Sequence, residues 1–150
     1  MSENRTLPYF VGALVTSALG GILVLATDLG GFDGSNYYLG VYLWGGIGAF
    51  SGVYGIPIII TAVFLIYCAA ISILVLRFPE KIPDKKFIRF GLYFSLGALI
   101  LTIINGIIFG VVADGEDWWW WLDAGFYGGT IGGLLTAIFF YLGEKVVELP

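Results

Sequence analysis

The amino-acid sequence predicts an all-α membrane protein, an up-down bundle of four transmembrane helices that forms a single domain over residues 1–150. Composition is the first reason, because 59% of the residues are hydrophobic and 12% are charged, whereas a soluble domain carries about 25% charged residues. The second reason is that several apolar stretches reach the roughly 20 residues that a helix needs to cross a bilayer. The third is the placement of the seven Lys and Arg residues, which predicts how many stretches cross and in which direction.

The basic residues predict the orientation of the bundle. Arg5 precedes the first apolar stretch, five bases fall between residues 77 and 89, and Lys145 follows the last stretch. Because segments rich in Lys and Arg stay in the cytoplasm, we expect both termini and the loop at 77–87 to be cytoplasmic. The two remaining loops contain six acidic residues and no base, and we expect them to lie outside.

Two prolines help to place the first two spans. The first span is predicted over residues 8–27, with Pro8 in the first helical turn, where its missing N–H costs nothing. The charge-free stretch at 34–76 follows, and at about 1.5 Å per residue it is far too long for one span. We therefore place the second span at 55–76, with Pro57 near its start.

The segment between these spans, residues 28–54, is rich in Gly and Tyr and is predicted to be an ordered outer loop. Residues 40–51 could form a short interfacial helix or a re-entrant turn. This segment contains Tyr42 and Trp44, which we take as candidate partner-contacting residues. Four spans with a longer first outer loop that contains Tyr-Leu-Trp resemble the layout of the claudin and PMP22 tetraspans, although the two loop cysteines of that family are missing here.

The third span is predicted at 88–112 and the fourth at 124–143, and their connections are short. Pro79 and Pro83 prevent the loop at 77–87 from continuing either neighbouring helix. Connections of this length place consecutive helices side by side and antiparallel.

Small residues recur every four positions in three of the predicted helices, a pattern that lets helix backbones approach closely in a membrane. These residues are Gly12, Thr16 and Gly20 in the first helix, Ala98, Thr102, Gly106 and Gly110 in the third, and Gly125, Gly129, Gly133 and Ala137 in the fourth, with Gly128 and Gly132 as a second row. They can pack helices within one chain, or one row can face another subunit. The doubled row of the fourth helix favours a contact beyond the single chain.

Four consecutive tryptophans, Trp118, Trp119, Trp120 and Trp121, occupy the second predicted outer loop. Indole rings collect at the membrane surface, so these residues can form an aromatic belt. Successive residues on a helix turn by about 100°, so four rings cannot all face lipid, and we expect at least one to face inward or toward a partner. Tryptophan is also enriched among the residues that dominate binding interfaces.

Asn105 is the most polar side chain deep in a predicted span, and Thr102 lies one turn before it. These residues can form interhelical hydrogen bonds or line a polar path. Acidic and basic residues inside a membrane mark ion paths and coupled transport. Because no Asp, Glu, Lys or Arg lies deep in a span, the sequence argues against a proton- or sodium-driven carrier.

The absence of histidine narrows the chemistry. Without His the chain has no Ser-His or Cys-His nucleophile pair and no His-ligated metal, and its single Cys cannot form an internal disulfide. The acidic loops match no EF-hand, and no basic patch fits a nucleic acid. We therefore expect no catalysis, cofactor, metal or nucleic-acid partner.

These observations predict a non-enzymatic scaffold or accessory subunit in the cell membrane. It would assemble with itself or with a larger membrane complex. The alternative is a channel or facilitator for a small solute or cation, with the acidic outer rim attracting cations. Polar residues that converge on one continuous cavity would favour the channel, whereas polar residues scattered among separate helix contacts would favour the scaffold.

Overall fold

A computed structural model describes residues 3–34, 37–41, 50–115 and 119–147, with side chains for 6–31, 56–115 and 119–147. The described residues form four long helices: α1 (Glu3–Ala26), α2 (Phe50–Arg77), α3 (Lys86–Gly115) and α4 (Ala124–Val146). Each contains a segment that is long and apolar enough to cross a membrane: Thr6–Ala26, Ile56–Arg77, Lys86–Gly115 and Ala124–Val146. The prediction of four membrane-length helices is confirmed, and it indicates a multi-pass integral membrane protein.

The helices extend beyond the predicted spans, and the two predicted proline positions are wrong. Pro8 and Pro57 lie inside α1 and α2 rather than in their first turns, since these helices begin at Glu3 and Phe50. Hydropathy locates the part of a helix that can lie in lipid, but hydrogen bonding along the backbone continues into the polar turns at either end. A proline inside a membrane helix is tolerated where neighbouring groups satisfy the freed carbonyl.

Neighbouring helices in the ring α1-α2-α3-α4 pack along their lengths, and α4 closes the ring against α1. The first half of α1 lies beside the second half of α4, where Gly12 contacts Phe139, and the second half of α1 lies beside the first half of α4, where Gly20 contacts Gly128 and Gly132. Helices α3 and α4 also run in opposite directions, since Gly91 contacts Phe140 and Gly106 contacts Phe126. Both pairs are therefore antiparallel.

A small antiparallel sheet, which was not predicted from the sequence, covers one end of the bundle. Its strands are β1 (Gly30–Gly34), β2 (Tyr37–Val41) and β3 (Trp119–Leu122), in the order β2-β1-β3. Part of the predicted first outer loop is therefore a hairpin, formed by β1 and β2. The last residues of that predicted loop belong to α2, which begins at Phe50. We call this end the sheet end, and the opposite end, at the connection between α2 and α3, the basic end. Of the segment predicted as a short helix or re-entrant turn, residues 42–49 lie outside the described residues.

The buried apolar residues of the described part of the chain form two clusters, one toward each end of the bundle. At the basic end, Phe10 of α1 and Phe140 of α4 are fully buried and meet edge to face, with ring centroids 5.8 Å apart. Toward the sheet end, Leu65 of α2 and Phe109 of α3 are fully buried. The outward faces of all four helices carry exposed large apolar side chains, as expected of surfaces that contact lipid.

Candidate functional site

The glycines of α4 hold its backbone directly against α1. A Cβ atom placed on Gly132 would lie 2.9 Å from the Cα of Gly20, and one placed on Gly20 would lie 2.8 Å from the carbonyl oxygen of Gly128. Carbon atoms do not approach backbone atoms this closely, so all three positions exclude larger residues. The row formed by Gly128 and Gly132 is therefore used within the chain.

The second glycine row of α4 faces a different neighbour. Gly133 lies against the backbone of α3, where an added Cβ would be 2.9 Å from the Leu99 nitrogen. Gly129 lies against the Thr102 side chain, and Gly125 lies under the carbonyl oxygen of Asp28, just after α1. Both glycine rows of α4 thus pack against helices of the same chain. The doubled row therefore gives no reason to expect a contact with another subunit. Assembly with another subunit stays a prediction that the glycines do not support.

The small residues of α1 and α3 have equally specific neighbours. The ring of Phe139 covers Gly12, and that of Phe126 covers Gly106. Beside Gly12, the hydroxyl oxygens of Thr16 and Thr136 lie 2.8 Å apart and share a hydrogen bond between α1 and α4. Gly12 and Gly106 therefore each accommodate a large ring across a helix pair, and Thr16 makes a polar contact across one.

The described tryptophans lie on strand β3 rather than on a helix, so the helical argument about their orientation is wrong. Side chains alternate between the two faces of a strand. Trp120 faces the bundle: its ring lies over Gly110 and meets Phe109 edge to face, with centroids 6.1 Å apart. Its indole N–H donates a hydrogen bond to the Asp114 carboxylate, with a nitrogen–oxygen distance of 2.7 Å. Trp120 thus joins the sheet to the end of α3.

The neighbouring rings lie in different surroundings. Trp121 pairs with Gly31 across the sheet, and its ring lies over that glycine. Trp119 is 82% exposed, although it belongs to the same strand. At least one ring was expected to face inward or toward a partner, and that of Trp120 faces inward. Trp118, Tyr42 and Trp44 lie outside the described residues.

Backbone hydrogen bonds fix the sheet to the bundle. The Gly125 N–H donates to the Asp28 carbonyl at 2.8 Å, and the Asp123 N–H donates to the Leu29 carbonyl at 3.0 Å. The Asp123 side chain accepts a hydrogen bond from the Ala124 N–H at the start of α4. Burial, together with the negative charge of Asp123, raises the pKa of the Asp28 carboxyl. The sheet end therefore combines acidic groups with exposed and packed aromatic rings, and the sequence places no Lys or Arg there.

Polar side chains inside the bundle divide into two groups. Most make local contacts, as Ser17 does by donating to the Ala13 carbonyl and Ser72 by donating to the Cys68 carbonyl. Thr61, Thr102 and Asn105 line one small cavity of about 10 Å³ near the sheet end, and Thr102 also donates locally to the Ala98 carbonyl. The proposed polar residues Thr102 and Asn105 are thus brought together at one cavity.

Two residues that contribute to these sites were not predicted from the sequence. Asp114 is one of the six acidic residues of the predicted outer loops, and the structure pairs it with Trp120. Thr61 of α2 lines the same cavity as Asn105. Neither pairing has a signal in the sequence, since each depends on how a strand or helix is rotated about its axis.

Comparison of the chain with protein-family models, with curated proteins and with solved structures found no significant match.

Proposed function

We propose that the chain is a non-enzymatic scaffold or accessory subunit of the cell membrane, and that it assembles through its sheet end with further copies or with a larger membrane complex. The observation that carries this proposal is Trp119, a large aromatic side chain that is 82% exposed. It belongs to β3, which lies at an edge of the described sheet. Edge strands can pair with a strand of another chain, and exposed tryptophans often dominate such contacts.

The proposed orientation places the sheet end outside the cell. The sequence supports it, because all seven basic residues lie toward the opposite end or near the termini that share that end. Cysteine labelling tests this in a Cys68→Ser background, which removes the native thiol. Gly115→Cys should react with an impermeant reagent added outside intact cells, and Asp84→Cys should not. Labelling of Asp84→Cys alone would reverse the proposed orientation.

Assembly is tested by the molecular mass of the purified protein in mild detergent. We expect the wild type to be larger than one chain, alone or with a co-purified partner, and Trp119→Ala to return it toward the mass of one chain. Tyr93→Ala is the matched control, because Tyr93 is an exposed aromatic residue on α3 toward the basic end. A single-chain mass for the wild type, or equal effects of the two variants, would contradict the proposal.

A channel or facilitator is the second candidate, and it is favoured by the convergence of Thr61, Thr102 and Asn105 on one cavity. The size of that cavity argues against conduction of a solute or cation, because about 10 Å³ accommodates no more than a water molecule. Purified protein in liposomes should show no cation flux above that of protein-free liposomes. Flux that is abolished by Asn105→Leu would establish the channel instead.

A further inference from the structure

The small cavity near the sheet end is bounded by every helix of the bundle or its connection. Its polar lining comes from Thr61 of α2 and from Thr102 and Asn105 of α3, with Gly125 of α4 and Leu29 beside them. Thr61 is 2% exposed and Asn105 is 3% exposed. These polar groups are therefore removed from bulk solvent and lie on two helices.

The hydrogen bonds of these residues are incomplete. Thr102 donates to the Ala98 carbonyl at 2.7 Å, so its hydroxyl oxygen can still accept. Among the described residues, neither the Asn105 amide nor the Thr61 hydroxyl has a hydrogen-bond partner. An amide group carries two N–H donors and an accepting oxygen. Burying such a group without partners is unfavourable, so a ligand with both donors and acceptors is expected at this position.

The cavity volume of about 10 Å³ defines the ligand. It corresponds to roughly one water molecule, and a buried water requires two to four polar partners. We propose that the cavity is a binding site for a single structural water that links α2 to α3. The water accepts a hydrogen bond from the Asn105 amide, donates one to the Thr102 oxygen and shares one with the Thr61 hydroxyl. This site goes beyond the proposed scaffold function and does not depend on it.

The location of the water gives it a structural role. Leu29 lies between α1 and β1, and Gly125 lies in the first turn of α4, so the cavity adjoins the connections that carry the sheet. A water held there joins two helices where the sheet attaches. Loss of the water should weaken the sheet end more than the basic end.

The direct test uses the wild-type protein with ¹⁵N-labelled asparagine in lipid nanodiscs. The chain contains three asparagines, Asn4, Asn36 and Asn105, and the Asn105→Leu spectrum identifies the side-chain signal of the third. We expect that signal to show a magnetisation-transfer peak to a slowly exchanging water, and Thr61→Val to reduce it by half or more. Absence of the peak in the wild type, or an unchanged peak in Thr61→Val, would overturn the proposal.

A thermal double-mutant comparison provides a second readout. Thr61→Val and Asn105→Leu should each lower the melting temperature, and the double variant should lose clearly less than the sum of the two losses, because both remove the same water. Thr130→Val is the control second site: within the described part of the chain its hydroxyl is buried without a partner, and Thr130 is not among the residues that line the cavity. Its effect should add to that of Asn105→Leu. Additive losses for Thr61 and Asn105 would show that no shared ligand joins them.

Discussion

Gly20 of α1 and Gly132 of α4 bring the two helix backbones into direct contact. A Cβ placed on Gly20 would lie 3.2 Å from the Gly132 Cα, and one placed on Gly132 would lie 2.9 Å from the Gly20 Cα. In lipid no hydrophobic effect drives helices together, so close packing of this kind supplies much of the attraction between them. The contact also lies between residues that are more than 100 positions apart in the chain, and it closes the ring of helices.

The first prediction follows from this contact. Gly132→Ala should lower the free energy of unfolding by about 1–3 kcal/mol, the usual cost of overpacking a well-packed interior. The added methyl group meets backbone atoms of Gly20, which cannot move aside as a flexible side chain can. The measurement is unfolding in mixed micelles followed by circular dichroism.

Gly115→Ala is the control for this variant. Gly115 is the last residue of α3, and an added Cβ there would meet no atom of the described residues within 4 Å. Its effect should stay within about 0.5 kcal/mol, as for most surface substitutions. Equal losses for the two variants would show that the approach of α1 to α4 is looser than the structure indicates.

The second prediction separates two adjacent tryptophans. Trp120→Ala removes a ring that packs on Phe109 and donates to Asp114. Removing a fully buried tryptophan costs about 3–5 kcal/mol, and Trp120 is half-buried, so we expect a loss of about 2 kcal/mol. Trp119→Ala should change stability by less than about 0.5 kcal/mol. The same unfolding assay measures both, and a larger loss for Trp119 would contradict the assigned faces of β3.

The third prediction concerns pH and Asp28. Burial and the charge of Asp123 raise the pKa of Asp28 above its ordinary value of 3.8. The folded state therefore holds this proton more tightly than the unfolded state does, and the contribution of Asp28 to stability increases as pH falls through the raised pKa toward 3.8. Asp28→Asn cannot take up this proton, so the increase should be missing from the variant's curve of unfolding free energy against pH and should appear in the difference, wild type minus variant.

Asp84→Asn provides a control of opposite sign. The backbone N–H of Lys86 donates to the Asp84 carboxylate at 2.9 Å and lowers its pKa below 3.8. The stabilisation from this exposed group is present above 3.8 and is lost as pH falls through the lowered pKa. If wild type minus variant changes with pH in the same direction for both substitutions, the raised pKa assigned to Asp28 is wrong.

The sequence predicted the helices because a long apolar run leaves few alternatives in a membrane. It did not predict the sheet, since β1 reads Gly-Gly-Phe-Asp-Gly and glycine is depleted in strands. The pairing of Gly31 with Trp121 also joins residues far apart in the chain, so no local sequence pattern predicts it. The small residue at position 31 makes room for the Trp121 ring, a relationship that becomes visible only after the strands are paired.

The candidate site was predicted in part for a similar reason. Asn105 and Thr102 are recognisable because polar residues are rare in an apolar helix, and their spacing places them on one face of α3. That Thr61 lines the same cavity depends on the rotation of α2 about its axis, which the sequence of this uniformly apolar helix does not determine. The roles of the two glycine rows of α4 could not be predicted, because the spacing shows that a helix face carries small residues but does not show which helix packs against it.

The fourth prediction compares two threonines of α4. Thr130 has a buried hydroxyl that finds no hydrogen-bond partner among the residues that the structure describes, whereas the hydroxyl of Thr136 shares a hydrogen bond with Thr16 of α1. Replacement by valine keeps the shape of the side chain and removes the hydroxyl. Thr130→Val should leave stability unchanged or raise it, because it removes an unsatisfied polar group, whereas Thr136→Val should lower it by about 0.5–1.5 kcal/mol. Unfolding in mixed micelles measures both, with Thr16→Val as a check that should approach the loss of Thr136→Val. If Thr130→Val proves the more harmful change, its hydroxyl has a partner in the membrane, and the face of α4 that carries it would then be the place to look for a second chain.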